Sequence, residues 1–111
     1  MRVLISITVI LFVLLSRLSG QEFTVMFYNV ENLFDTVNDT AKNDEEFLPG
    51  GERRWTVSRY YRKLNSIART VVVAGEWELP ALIGFCEVEN VGVMKDLAYG
   101  TLLSAGNYGI V

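Results

Sequence analysis

The stretch FTVMFYNVENLFD, Phe23–Asp35, decides the fold. It begins as a nearly unbroken apolar run, Phe23, Val25, Met26, Phe27 and Tyr28, and then turns polar at Asn29, Glu31 and Asn32. Apolar side chains on both alternating faces predict a strand over Phe23–Tyr28, covered on both sides as in a parallel sheet. The polar groups fall where such a strand leaves the sheet. In open α/β sheets, ligands bind beyond the carboxyl ends of the strands. A second stretch, ALIGFCEVEN at Ala81–Asn90, repeats the arrangement, with Leu82, Ile83 and Phe85 leading into Glu87, Glu89 and Asn90.

Between the two strands lie a long loop and a helix. Val30–Thr56 is rich in turn formers, Asp35, Asn38, Asp39, Asn43, Asp44 and Pro49-Gly50-Gly51. Glu31–Phe34 is read as a turn of helix, and the acidic Asn43–Glu46 portion as a solvated excursion. Arg53, Arg54 and Trp55 read either as a phosphate or base contact or as a loop anchor, with Trp55 packed on the next helix. Val57, Tyr60, Tyr61, Leu64, Ile67, Ala68, Val71 and Val72 recur at spacings of three and four and predict a helix over Ser58–Ala74. Thr56 or Ser58 suits its N-cap and Gly75 its end. Arg59, Arg62, Lys63 and Arg69 fall mostly on the other side and read as a solvated basic face.

After the second strand, Ala81–Cys86, Asn90 reads as the N-cap of a short helix, Val91–Tyr99, closed by Gly100. Tyr108 reads as the start of a further strand that Val111 interrupts. Strand, helix and strand in this order fit a parallel βαβ unit. Neighbouring strands lie about 4.8 Å apart, which brings Asn29 and Glu87 together.

Composition narrows the chemistry. The 111 residues include no histidine and a single cysteine, Cys86. A Ser-His or Cys-His nucleophile, a histidine metal site and an internal disulfide are therefore excluded within them. Cys86 itself reads as a buried small hydrophobe. Arg2, the apolar run Val3–Leu15 and the small-residue end at Gly20 predict a secretory signal over residues 1–20, with an uncleaved anchor as the other reading. The apolar run falls short of the roughly 20 residues a membrane span needs. Removing residues 1–20 takes away Arg2 and Arg17 and no acid, leaving eight basic against 13 acidic residues and a net charge of −5. Such a chain has no global attraction for nucleic acid or anionic membrane, so a phosphate ligand needs a cation or a local basic patch.

Glu87 is a carboxylate at the mouth of a strand, and its motif holds no cation to match it. It is either simply solvated or bound to a hard cation, Mg²⁺, Mn²⁺ or Ca²⁺. Asn29 either ends its strand by bonding to backbone or orients a phosphate, a water or a neighbouring catalytic side chain.

The apolar strand running into YNVENLFD, the long loop, the helix with Arg62-Lys63-Leu64 and then GFCEVEN together resemble the N-terminal part of the endonuclease/exonuclease/phosphatase superfamily, in its secreted bacterial branch. The likeness covers Phe23–Val111. It implies a four-layered α/β sandwich of two packed sheets flanked by helices, incomplete over this length. It implies hydrolysis of a phosphodiester or phosphomonoester, on nucleic acid or a phosphorylated small molecule, with Mg²⁺ or Mn²⁺ and a water nucleophile. By the same resemblance Asn29 is the candidate catalytic residue, and Glu87 and Glu31 are the candidate metal ligands. The family's Asp-x-Asn element, later Asp and general-base His have no counterpart here, so the chain is expected to be an N-terminal portion, exported and inactive by itself. The other reading is a small secreted, non-enzymatic α/β module that binds a cation or a protein partner.

Overall fold

The computed structural model describes Met1, Gly20 and residues 22–111; the predicted signal segment is otherwise outside the described residues. Two strands form one parallel sheet, β1 (Val25–Leu33) and β2 (Leu82–Val88). Val25 pairs with Leu82, and the register runs evenly to Asn29 opposite Cys86. It then shifts before Leu33 meets Val88. Helix α1 (Val57–Ala74) connects the strands, and α2 (Val91–Gly100) follows β2. Short 3₁₀ turns occupy Glu45–Phe47 and Leu102–Gly106. The predicted strand–helix–strand–helix order stands, so the chain is α/β.

Local sequence sets the boundaries. Thr56 stays extended and its side chain accepts from the Arg59 N–H, satisfying one of the four free donors that open α1. Gly75 closes the helix by donating to Val71 and Val73 carbonyls. Asn90 caps α2 in the same way, accepting from Val93 N–H at 3.0 Å. That helix includes Gly100 and ends at Thr101, one residue beyond the expected stop.

The core lies on one face of the sheet. Val30 and Leu33 of β1 meet Tyr60, Leu64, Ile67, Ala68 and Val71 of α1. Val93, Leu97 and Leu103 close the cluster from the other side of the chain. Along β1, Met26, Tyr28 and Val30 face this core, while Val25, Phe27 and Asn29 point away, as the two-residue repeat of a strand requires. The expected cover on both faces is therefore corrected. Among the described residues nothing lies over the second face, and Val25 and Phe27 stay 60% and 76% exposed. The Phe27 ring lies over Gly84, where a Cβ would come within 3.0 Å of it.

Four other expectations change. Glu31–Phe34 is not helical; β1 continues through Leu33, because Leu33 returns to the core after an irregularity in the pairing. Asn43–Glu46 is not merely a solvated excursion. Asp44 is 2% exposed, and its carboxylate accepts from Asp39 N–H and anchors the loop. Tyr108 starts no strand among the described residues. Its hydroxyl donates to Pro80 O at 2.5 Å, and its ring packs against the core. Cys86 is half-buried rather than buried, since it lies on the uncovered face.

Candidate active site at the strand ends

Parallel pairing brings the polar ends of β1 and β2 side by side. Asn29 Nδ2 donates to Glu87 Oε1 at 2.9 Å, across 58 residues of sequence. The other amide atom, Asn29 Oδ1, accepts from Glu31 N–H at 2.8 Å, an Asx turn that starts the break in register. Asn29 thus bonds to local backbone, as the end of a strand does, and also holds the Glu87 side chain. Asn32 N–H donates to Glu87 Oε2 at 3.0 Å. Each oxygen of the Glu87 carboxylate therefore accepts one hydrogen bond from β1.

This arrangement requires unusual backbone. Glu31, Asn32 and Glu87 have φ of 54°, 56° and 62°. They are three of the seven non-glycine residues in the left-handed region among the described residues. Such a conformation costs about 1–3 kcal/mol per residue and persists where surrounding contacts impose it; it concentrates at functional sites. Asn is the type that tolerates it best, and the two glutamates are not.

Lys63 fixes the bulge from α1. Its ammonium donates to the carbonyl of Glu31 and, at 3.4 Å, to that of Asn32. Burial holds its pKa below the ordinary lysine value, against the pull of the Glu31 and Glu87 carboxylates. The basic face was expected to be solvated throughout, and Lys63 departs from that. Its position was legible in the sequence: it follows Tyr60 by three residues and precedes Ile67 by four, and both are buried.

A second polar layer supports the first. Asp35 N–H donates to Glu89 Oε2 at 3.0 Å, and Asn90 Nδ2 donates to Asp35 Oδ2 at 3.1 Å. The Glu89 side chain is only 2% exposed, and Lys42 Nζ stands 3.8 Å from its Oε1. Glu89 thus ties the long loop to β2, a task that its place in an acidic motif did not signal. Trp55 Nε1 donates to Phe34 O at 2.8 Å, so Trp55 is the loop anchor that the sequence suggested.

The candidate residues are not equivalent. Asn29 and Glu87 are in direct contact. Glu31 joins them through its backbone; its exposed carboxylate has no hydrogen-bond or ion-pair partner among the described residues. No group of three His, Cys, Asp or Glu residues converges as a metal cage among the described residues. The donor chemistry nevertheless suits a hard cation. Glu87 keeps lone pairs on both oxygens after its two hydrogen bonds, and Mg²⁺ is commonly held by one or two carboxylates with waters and substrate phosphates completing the shell.

The chain is an α/β protein whose parallel strand ends bring a carboxylate and a carboxamide together at the sheet mouth, where open α/β sheets bind ligands. More specifically, the chain belongs to the Endonuclease/Exonuclease/phosphatase family, whose model matches residues 24–111. No curated protein and no solved structure matches it significantly.

Proposed function

We propose that this chain is the N-terminal part of an exported, Mg²⁺- or Mn²⁺-dependent phosphoesterase of the nuclease or phosphatase type, built as a four-layered α/β sandwich. The observation that carries the reading is the Asn29–Glu87 contact at adjacent strand ends, in a chain of this family. Glu87 would hold the metal, and Glu31, two residues after Asn29 on β1, would be the second carboxylate ligand. The ion, when bound, would supply Lewis-acid polarisation of a phosphoryl oxygen and offset the charge between an acidic protein and a phosphate. Asn29 and Asn32 hold the Glu87 carboxylate in one orientation, so it meets a cation without rearranging. Asn29 keeps one amide hydrogen free to donate to a phosphate oxygen or to a water.

The 111 residues contain no histidine, whereas the family resemblance implies a general-base histidine. We therefore expect metal binding without turnover from this polypeptide, because members of a catalytic set act as a unit. Titration of the full chain with Mn²⁺, followed by electron paramagnetic resonance, should show binding that weakens at least about tenfold in Glu87→Gln. Unchanged binding in that variant would sink the ligand assignment. Mg²⁺-dependent hydrolysis of bis-p-nitrophenyl phosphate by the same chain would sink the expected inactivity.

A further inference from the structure

A cluster of cations lies beside the strand-end site, and among the described residues only one of its members, Arg53, has an ion-pair partner. Arg53, Arg59, Arg62 and Lys63 gather around Trp55, four of the ten basic residues in an acidic chain. Arg59, Arg62 and Lys63 share one face of α1 at spacings of three and four. The Arg59 guanidinium lies 5.5 Å from the Trp55 ring centre and the Lys63 ammonium 5.7 Å. Arg53 stacks on Phe47 at 4.9 Å and pairs with Glu46 at 2.9 Å. Arg59 and Lys63 have no carboxylate partner among the described residues. Their contacts are backbone carbonyls: Arg53 and Arg54 for Arg59, Glu31 and Asn32 for Lys63.

Carbonyl contacts and an indole fix the position of a cation without cancelling its charge. Arg59 carries five N–H donors and Lys63 three, and each keeps at least one free. These side chains border a cleft of about 390 Å³ that also reaches Glu31 and Asn32. A phosphate group fits that volume, and a planar guanidinium beside an ammonium is suited to it.

We propose that the Arg59–Lys63 cleft binds a second phosphate of the ligand, one that is not cleaved, next to the site at Asn29 and Glu87. The preferred ligands then carry at least two phosphates, either as successive phosphodiesters of an oligonucleotide or as a small bisphosphate. A lone phosphate fills only one of the two positions and binds more weakly than either larger probe. Describing this phosphate as part of a substrate rests on the phosphoesterase reading; its binding does not.

The test is calorimetric titration of the full chain, without metal, against inorganic phosphate, thymidine 3′,5′-bisphosphate and a short oligothymidylate. Arg59→Gln and Lys63→Gln, singly and together, should weaken the two larger probes by about tenfold or more. The slope of log affinity against log salt for the oligonucleotide should fall by about one to two. Arg69→Gln, elsewhere on α1, should bind both probes as the parent does. Circular dichroism checks that each variant folds, and Arg59→Gln alone decides the matter if Lys63→Gln does not. Weakening for the oligonucleotide alone identifies a polymer phosphate, and equal weakening for both probes identifies the phosphate itself; either supports the cleft. Binding insensitive to Arg59→Gln, or lowered equally by Arg69→Gln, overturns it. Mn²⁺ binding is read at Glu87 and Glu31, and phosphate binding without metal at Arg59, so failure of the enzyme reading and failure of the cleft are distinguished.

Discussion

Asn29 and Glu87, at the ends of adjacent parallel strands, are joined by a 2.9 Å hydrogen bond in which the amide donates and the carboxylate accepts. The polarity of that contact sets the charge of the site. The pair holds one carboxylate and one neutral amide, so the amide places no second charge beside Glu87. Asn29→Asp exchanges the donor for a second acceptor, and two carboxylates at that distance cannot both ionise freely. The variant should lose about 1–3 kcal/mol of stability at pH 7, because a donor is lost and a charge is opposed. Added Mn²⁺ should restore much of the loss, since ligands that bind only the folded state stabilise it. Urea unfolding with and without the ion reads both effects; a variant as stable as the parent in the absence of metal argues that the pair is uncoupled.

Glu31 combines a strained backbone with a side chain that makes no hydrogen bond or ion pair among the described residues. Glycine adopts φ of 54° without the side-chain clash that costs an L-residue about 1–2 kcal/mol, although its looser unfolded chain gives back about 0.5–1 kcal/mol. Glu31→Gly should therefore exceed Glu31→Ala in stability by about 0.5–1 kcal/mol. Both variants remove the carboxylate, so both should weaken Mn²⁺ equally if it is a ligand. A glycine variant less stable than the alanine one would show that the bulge is relaxed.

Lys63 gives the site a pH signature. Burial lowers its pKa in the folded chain below the ordinary 10.5, so between the two values the unfolded chain binds the extra proton. Stability from this group therefore rises as pH climbs through that window, and the burial cost is fully present below it. Tyr60 and Tyr108, whose pKa values are raised chiefly by burial, act in the opposite direction at alkaline pH. Comparing the parent with Lys63→Met cancels their contribution. The difference in unfolding free energy between parent and variant should move in favour of the parent from pH 8 to pH 10.5. A difference that stays constant would mean that the ammonium is as solvated as in the unfolded chain.

The parts of the molecule legible in the sequence are those governed by periodicity and capping. The 3.6-residue repeat of Tyr60, Leu64, Ile67 and Val71 defined α1, and Thr56 and Asn90 announced their helices through side chains that accept from the first turn. Strand spacing alone put Asn29 next to Glu87. The bulge was hidden because glycine usually marks a left-handed residue, and here glutamate and asparagine occupy those positions. Asp44 and Glu89 were hidden for a related reason. Each is a buried carboxylate whose partners, Asp39 N–H for one and Asp35 N–H with Lys42 for the other, come from a loop without a periodic pattern.

The uncovered sheet face makes the last prediction. Val25, Phe27 and Leu82 lie together there, each more than half exposed, beside a cleft of about 690 Å³ that continues to Glu87. A contiguous apolar surface of this kind binds hydrophobic dyes and lowers solubility. Phe27→Lys interrupts it at a side chain that is 76% exposed, so the substitution costs little packing energy on the core side. The native full chain should bind 1-anilinonaphthalene-8-sulfonate, and Phe27→Lys should reduce the fluorescence severalfold while the unfolding midpoint in urea stays close to that of the parent. If the midpoint instead falls steeply, Phe27 contributes to the fold through contacts other than the one with Gly84, and the face is not the open surface described here.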